Sequence, residues 1–288
     1  MGKKLSDSIS ACLSMLGSTL KSAVKIALQS RRPTMGRIKA QGDTIIVMGN
    51  GPSLRQTIAE HGDTLRCYPS MAVNFAACAP EFVNLRPEYY IMADPHFFSG
   101  SREGNMGRLH EALTTGVDWP MTLFVPVGRQ NEATALVGGN PNITIVTFNP
   151  VGAEGFGWFT RVVYRLNLAM PRPRNVLIPA LMTAIGIGYR NIYIVGADHS
   201  WMKTIDVNSD NEVVSVQPHF YKEREDEKAR VNNEYRGYRL HDIIASFYVA
   251  FKAYHDIRRY ADSRGVTVYN STPSSFIDAF CRKGLPEG

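Results

Sequence analysis

The first thirty residues repeat one interval. Leu5, Ile9, Leu13, Leu16, Leu20, Val24 and Leu28 follow one another at spacings of three and four. That spacing lays a single apolar stripe along a helix of about seven turns. Arg31-Arg32-Pro33 ends it, because proline disfavours a helical residue before it. From residue 44 the pattern changes to short apolar runs. Thr44 to Met48 reads as a strand and Leu54 to Glu60 as a helix, with a glycine-rich turn between. Further strands are expected within Arg66 to Val73, at Tyr89 to Ala93, Met121 to Val127 and Ile143 to Phe148. Val176 to Ile187 reads as a helix closed by Gly188, and Asn191 to Val195 as the strand after it. Ile243 to Ser263 is a long helix and Val266 to Tyr269 a last strand. Strands alternating with helices predict an α/β fold of Rossmann type: a mainly parallel sheet with helices on both faces.

Such sheets bind ligands beyond the carboxyl ends of their strands. Asn50, Asn74, Asp94 and Asp198 each follow a strand, so one site is expected to draw on all four. Residues 200–240 interrupt the alternation with a polar stretch centred on Lys222-Glu223-Arg224-Glu225-Asp226-Glu227-Lys228. An insertion there reads as a lid, or as a solvated surface excursion. Inside it, Asp206 to Glu212 has the alternating oxygens of a calcium loop but not its glycine or terminal spacing. Thr204-Ile205 and Val213-Val214 around it favour a hairpin with a polar turn. The chain thus divides into an amphipathic basic helix, 1–35, and a body, 36–288.

Charge sharpens that division. Residues 1–40 hold eight Lys/Arg and one acid, Asp7, which leaves 24 basic and 25 acidic residues in 41–288. A neutral body argues against nucleic acid as a partner. The basic head fits an anionic membrane surface, contacted through residues 1–32. Alternatively the helix packs on the body or on a second subunit of a homo-oligomer. No uninterrupted apolar run reaches the ~18 residues of a membrane span, so none is expected. The start lacks a signal-peptide pattern, and Met1-Gly2 with Ser6 is a short match to an acylation motif. Cys12, Cys67, Cys78 and Cys281 are scattered, as free thiols of a reducing cytoplasm would be. The expected location is cytoplasmic, peripheral on the inner face of the membrane.

Gly49-Asn50-Gly51-Pro52-Ser53 stands between a strand and a helix. Glycines let backbone approach a phosphate or ribose, and helix N-terminal amides attract anions. Asn50 can donate and accept at once. The loop is neither a P-loop nor GxGxxG, which disfavours an ATPase or a nicotinamide enzyme.

Ile45 to Leu54, taken with Gly188 to Asp198, resembles the bacterial lipooligosaccharide sialyltransferases of the Campylobacter type. It equally resembles a wider group that includes motility-associated glycosyltransferases and an archaeal pterin diphosphokinase. The similarity covers roughly residues 43–280 and is specific in those two blocks and at Asn74. The resemblance implies a GT-A-like domain with a lid, and inverting transfer from a CMP-activated sugar without metal or other cofactor. It implies that Asn50, Gly51 and Ser53 meet the donor phosphate and ribose and that Asn74 meets the nucleotide; the loop and strand-end positions add Gly49, Pro52, Asp94, Gly196 and Asp198 to the expected donor site. The acceptor would be a surface glycan, free or lipid-linked. Three positions depart from the family. Asp94 replaces an asparagine, Asn175-Val176-Leu177 replaces Thr-Ser-Gly, and Ser200 replaces a tyrosine. These departures weaken sialic acid as the donor sugar more than they weaken a nucleotide donor.

His241 closes Tyr238-Arg239-Leu240-His241, where the family carries its general base, also three residues after a tyrosine. A neutral imidazole there could take the acceptor's proton, with Tyr235 or Tyr238 bonding the departing phosphate. His199, beside Asp198, is the rival base, and His219 a third candidate. Phe156, Trp158 and Phe159 either line a site or pack in core or surface. Two other classes stay open: a pterin-type diphosphokinase using ATP and magnesium, and a non-catalytic membrane-associated scaffold.

Overall fold

A computed structural model describes residues 2–215 and 237–287. Eight strands form one sheet: β1 (Thr44–Met48), β2 (Ser70–Val73), β3 (Tyr89–Ile91), β4 (Met121–Pro126), β5 (Ile143–Phe148), β6 (Asn191–Val195), β9 (Thr267–Asn270) and β10 (Cys281–Arg282). Their order is β10-β9-β6-β1-β2-β3-β4-β5, and every pair is parallel. The α/β architecture expected from the alternation is therefore present. β7 (Ile205–Val207) and β8 (Val213–Ser215) make a separate antiparallel hairpin. Asn208 Oδ1 accepts from the amides of Asp210 and Glu212 across its turn, so the polar run is a hairpin loop as its flanks predict.

Both faces of the sheet are covered, because each central strand sends alternate residues to each side. Ile45, Val47, Met71, Val73 and Tyr89 pack with α6 (Gly157–Arg165), α7 (Leu177–Ile187) and α8 (Leu240–Ser263). Ile46, Met48, Ala72, Tyr90 and Leu123 pack on the other face. There they meet α2 (Ser53–Cys67), α3 (Glu81–Leu85), α4 (Gly104–Glu111) and α5 (Gln130–Leu136). α7 is buried at all but one position and is accordingly apolar all round. It stops at Gly188, whose φ of +114° a side chain would resist.

The N-terminal helix α1 (Gly2–Gln29) has the expected length, but its docking is not through its apolar stripe. Thr19 and Ser22 are the buried positions, and Ile26 is half-buried against the core. Ser22 Oγ donates to Glu154 O at 2.8 Å and accepts from Glu154 N at 2.9 Å. Thr19 Oγ1 accepts from Phe156 N at 3.0 Å. Ile9, Leu13, Leu16, Leu20, Val24 and Leu28 all remain exposed. The expectation that no segment could span a membrane needs correcting. Ser8–Gln29 is one unbroken helix long and apolar enough to cross by length and composition. The scattered polar residues that interrupt the run in sequence do not break the helix.

After α1 the chain lies along edge strand β5. Thr34 and Thr147 exchange amide-to-hydroxyl bonds at 3.0 and 2.8 Å. Buried Asn149 donates to Arg31 O and accepts from Arg31 N. Side chains thus satisfy an edge that would otherwise be open to pairing.

Candidate functional site at the sheet's switch point

From β1 the strand order runs one way through β2 to β5 and the other way through β6, β9 and β10. The reversal falls between β1 and β6, and open α/β sheets bind ligands beyond the carboxyl ends of the strands at such a switch point. Asn50, Asn74, Asp94 and Asp198 follow β1, β2, β3 and β6, which are four consecutive strands in space. Their strands are therefore neighbours, although adjacency of strands does not by itself join the four side chains in one site.

The glycine loop is built by backbone contact. Gly49 N donates to Val195 O at 2.8 Å, and Gly51 N to Gly196 O at 2.7 Å. A Cβ on Gly49 would stand 2.5 Å from Gly196 O, and one on Gly196 would stand 2.5 Å from Gly49 O. Gly196 also has φ +64°. Both glycines are therefore required by close approach. Pro52 precedes the first turn of α2 with φ −60°, which suits a helix start.

Asp198 occupies that start. Its Oδ2 accepts from Ser53 Oγ at 2.8 Å and from Ser53 N at 3.4 Å, and it lies where a Cβ on Gly51 would be. A carboxylate at a helix N-terminus is stabilised by the helix dipole. A phosphate at the same spot would face a like charge, whereas a ribose hydroxyl could donate to the carboxylate. Thr272 and Ser275 brace this segment, bonding Ala197 N at 3.1 Å and Ala197 O at 2.6 Å. Sequence reading did not single them out; their position just after a strand was the available signal.

Two buried oxygens at these strand ends have no partner. Asn50 Nδ2 donates to Val73 O at 3.0 Å, which fixes the amide's orientation and leaves Oδ1 unpaired. Asn74 Oδ1 is likewise buried and unpaired, and Asn74 holds φ +48°, a region asparagine tolerates better than most residues. A buried acceptor left without a donor costs about 1–3 kcal/mol. Both point to a ligand that brings N–H or O–H groups. Asp94, by contrast, is exposed and its Oδ1 caps the turn at His96 N, 2.8 Å away.

A second cluster adjoins the first. His199 is half-buried with φ +52°, and its Nε2 lies 2.6 Å from Tyr254 Oη. Tyr254 Oη lies 3.0 Å from Asn175 Oδ1. That oxygen also receives the amides of Leu177 and Ile178 as the cap of α7, so it is an acceptor. The tyrosine's one proton must go to Asn175, and its lone pair must take the proton on His199 Nε2. The imidazole is therefore the Nε2–H tautomer with Nδ1 bare. Burial pushes its pKa down to about 3, so it is neutral. Trp201 stacks on it with ring centroids 4.2 Å apart. Asn175 Nδ2 is a third buried group without a partner. No sequence spacing joins residues 175, 199 and 254.

The other proposed catalytic residues stand apart. His241 is 82% exposed in its side chain and lies 3.3 Å from Asp242. Tyr238 is exposed. No hydrogen bond or ion pair joins either to the strand-end residues among those described. Tyr235 and His219 lie outside the described residues. Phe159 packs against the core and Trp158 projects into solvent. Among the described residues no group of three or more His, Cys, Asp or Glu is placed to hold a metal.

No protein-family model matches the chain, and no curated protein matches it. Among solved structures it is similar to a MAf glycosyltransferase from Magnetospirillum magneticum AMB-1, with a TM-score of 0.50 and 11% identity. The match covers 94% of this chain and 38% of that one. At that identity the likeness establishes the fold alone.

Proposed function

We propose that the protein is a glycosyltransferase that moves a sugar from a nucleotide donor, CMP-activated, to a surface-glycan acceptor. The observation that carries the reading is the pair of unmatched buried acceptors at the switch point, Asn50 Oδ1 and Asn74 Oδ1, together with the Asp198 carboxylate, which Ser53 already bonds. A nucleoside supplies ring or amino N–H for the asparagines, and its ribose hydroxyls can donate to the carboxylate. The fold likeness to a glycosyltransferase supports the same reading. In the proposed reaction the acceptor oxygen attacks the anomeric carbon as the bond to the nucleotide phosphate breaks, which inverts the centre. His241 takes the acceptor's proton, and Tyr238 or Tyr235 bonds the departing phosphate. Neutral hydroxyl donors offset the leaving charge without a metal, because the Gly49, Gly51 and Ser53 amides are already bonded to Val195 O, Gly196 O and Asp198 Oδ2.

One observation favours a second reading. Asp198 fills the helix start where an anion would otherwise sit, and a carboxylate there suits magnesium-bridged phosphates, as a diphosphokinase uses. A thermal-shift panel of CMP, CDP, UDP, GDP and ATP, each with and without magnesium, separates the two. The expected result is stabilisation by a cytidine nucleotide without magnesium, abolished by Asn50→Ala in a protein that still folds. Stabilisation by ATP with magnesium alone would transfer the site to the kinase reading. No response to any nucleotide would leave the scaffold reading.

A further inference from the structure

The exposed side of α1 divides into sectors. At 100° per residue, the docked positions Thr19, Ser22 and Ile26 lie about a third of a turn from the apolar stripe. Exposed Lys21 and Lys25 lie about a third of a turn further on. α6 carries a similar outer face. Trp158, Val162 and Leu166 are exposed at spacings of four, with exposed Arg161 and Arg165 beside them. The helices meet where Phe156 N bonds Thr19 Oγ1, two residues before Trp158, and both lie on the α7–α8 face of the sheet. The nearby acid, Glu154, is already paired with Lys252 and Arg172. The face is thus apolar, basic and rimmed by a tryptophan, the composition that suits a bilayer interface carrying anionic headgroups.

We propose that the outer sides of α1 and α6 form one docking surface for an anionic lipid bilayer, with α1 lying flat in the interface rather than crossing it. Crossing would break the Ser22–Glu154 pair of bonds and the Thr19–Phe156 bond, and would draw Lys21 and Lys25 toward hydrocarbon. Flat binding keeps all three bonds and lets the lysines meet headgroups. The same face could instead bury itself against a second copy of the chain. Charge argues for lipid, since two copies would bring two basic faces together.

The test is co-sedimentation of the full-length protein with vesicles of phosphatidylcholine alone or with phosphatidylglycerol. Binding is expected to require phosphatidylglycerol and to weaken with added salt. Leu13→Glu with Leu20→Glu should lower binding at least about tenfold, and Trp158→Ala or Arg161→Glu with Arg165→Glu severalfold. All of these positions are exposed, so circular dichroism should stay unchanged. Bound protein should be released by alkaline carbonate. Protein that resists carbonate crosses the bilayer, which overturns the flat arrangement. Variants at 158, 161 and 165 that bind like wild type remove α6 from the surface. A dimer that dissociates on Leu13→Glu with Leu20→Glu, without vesicle binding by wild type, gives the face to a second copy.

Discussion

His199 and His241 place the same side chain in opposite surroundings. His199 is wedged between Trp201 and Tyr254, one residue beyond the carboxylate that caps the glycine-loop helix. Its tautomer is fixed, its charge is suppressed and its backbone is held at φ +52°. His241 projects from the first turn of α8 with an exposed carboxylate as its neighbour. A base must reach substrate, and His241 faces solvent with its side chain 82% exposed. An imidazole whose pKa is near 3 is a weak proton acceptor at neutral pH, so His199 is better suited to holding a strand end in place. Nearness to the site and aptness for chemistry are separate properties here.

The widest separation between the two should be kinetic. His241→Ala is expected to lower kcat by roughly 10²–10⁴-fold and leave donor affinity nearly intact. His199→Ala should act mainly on stability and donor affinity, because it removes the Tyr254 bond that holds the residue next to Asp198. Steady-state kinetics with the donor identified by thermal shift, and direct binding of that nucleotide, would show the split. Turnover lost on His199→Ala but kept on His241→Ala would reverse the assignment. Full activity in both variants would remove the direct-displacement mechanism itself.

This contrast was only half legible in the sequence. β1, β5 and β6 lie at the residues their apolar runs indicate, because strands buried on both faces read as continuous hydrophobic stretches. Asn50 and Asp198 followed from β1 and β6, and Asn74 from the strand expected within Arg66 to Val73. The link among Asn175, His199 and Tyr254 did not, since it joins a helix cap, a loop and the middle of another helix. Periodicity reports faces within an element, not partners between elements. Docking of α1 was hidden for a related reason. Its apolar stripe is plain in sequence, but polar Thr19 and Ser22 make the attachment through hydrogen bonds. α6 escaped notice because Trp158, Val162 and Leu166 face outward rather than mark a core side.

A smaller effect should appear in the pH dependence of stability. An unfolded histidine takes up its proton near 6.5, and folded His199 only near 3. Between those values the unfolded chain holds the extra proton, so acid favours unfolding. The contribution is whole above pH 6.5 and is lost as pH falls toward 3, with a slope of up to about 1.4 kcal/mol per pH unit. His199→Gln keeps a donor for Tyr254 but cannot titrate in this range. Urea unfolding at pH 7.5, 6.0 and 5.0 should show the wild type losing more stability than His199→Gln over the interval. Parallel curves would mean that the folded imidazole protonates at its ordinary value.

The smallest expected effect tests whether His241 has a fixed partner. Asp242 does two things in the first turn of α8: its Oδ2 accepts from Arg239 N at 3.0 Å, and its Oδ1 lies 3.3 Å from His241 Nε2. The first bond caps the helix, and such caps are worth about 0.5–2 kcal/mol. The second joins groups that are 82% and 44% exposed, where water and salt screen the attraction and side-chain entropy opposes it. Asp242→Asn retains an oxygen for the cap and removes the charge. Its melting temperature should therefore match wild type within a degree or two, roughly what a few tenths of a kcal/mol produces in a chain of this size. Asp242→Ala should fall further, because the cap goes as well. In kinetics, Asp242→Asn should keep most of the wild-type kcat, since a solvent-facing carboxylate does little to hold the imidazole. A loss in Asp242→Asn as deep as in His241→Ala, at unchanged stability, would show that the two work as a dyad. His241 would then be held in turnover by a contact that its exposure in the free protein hides.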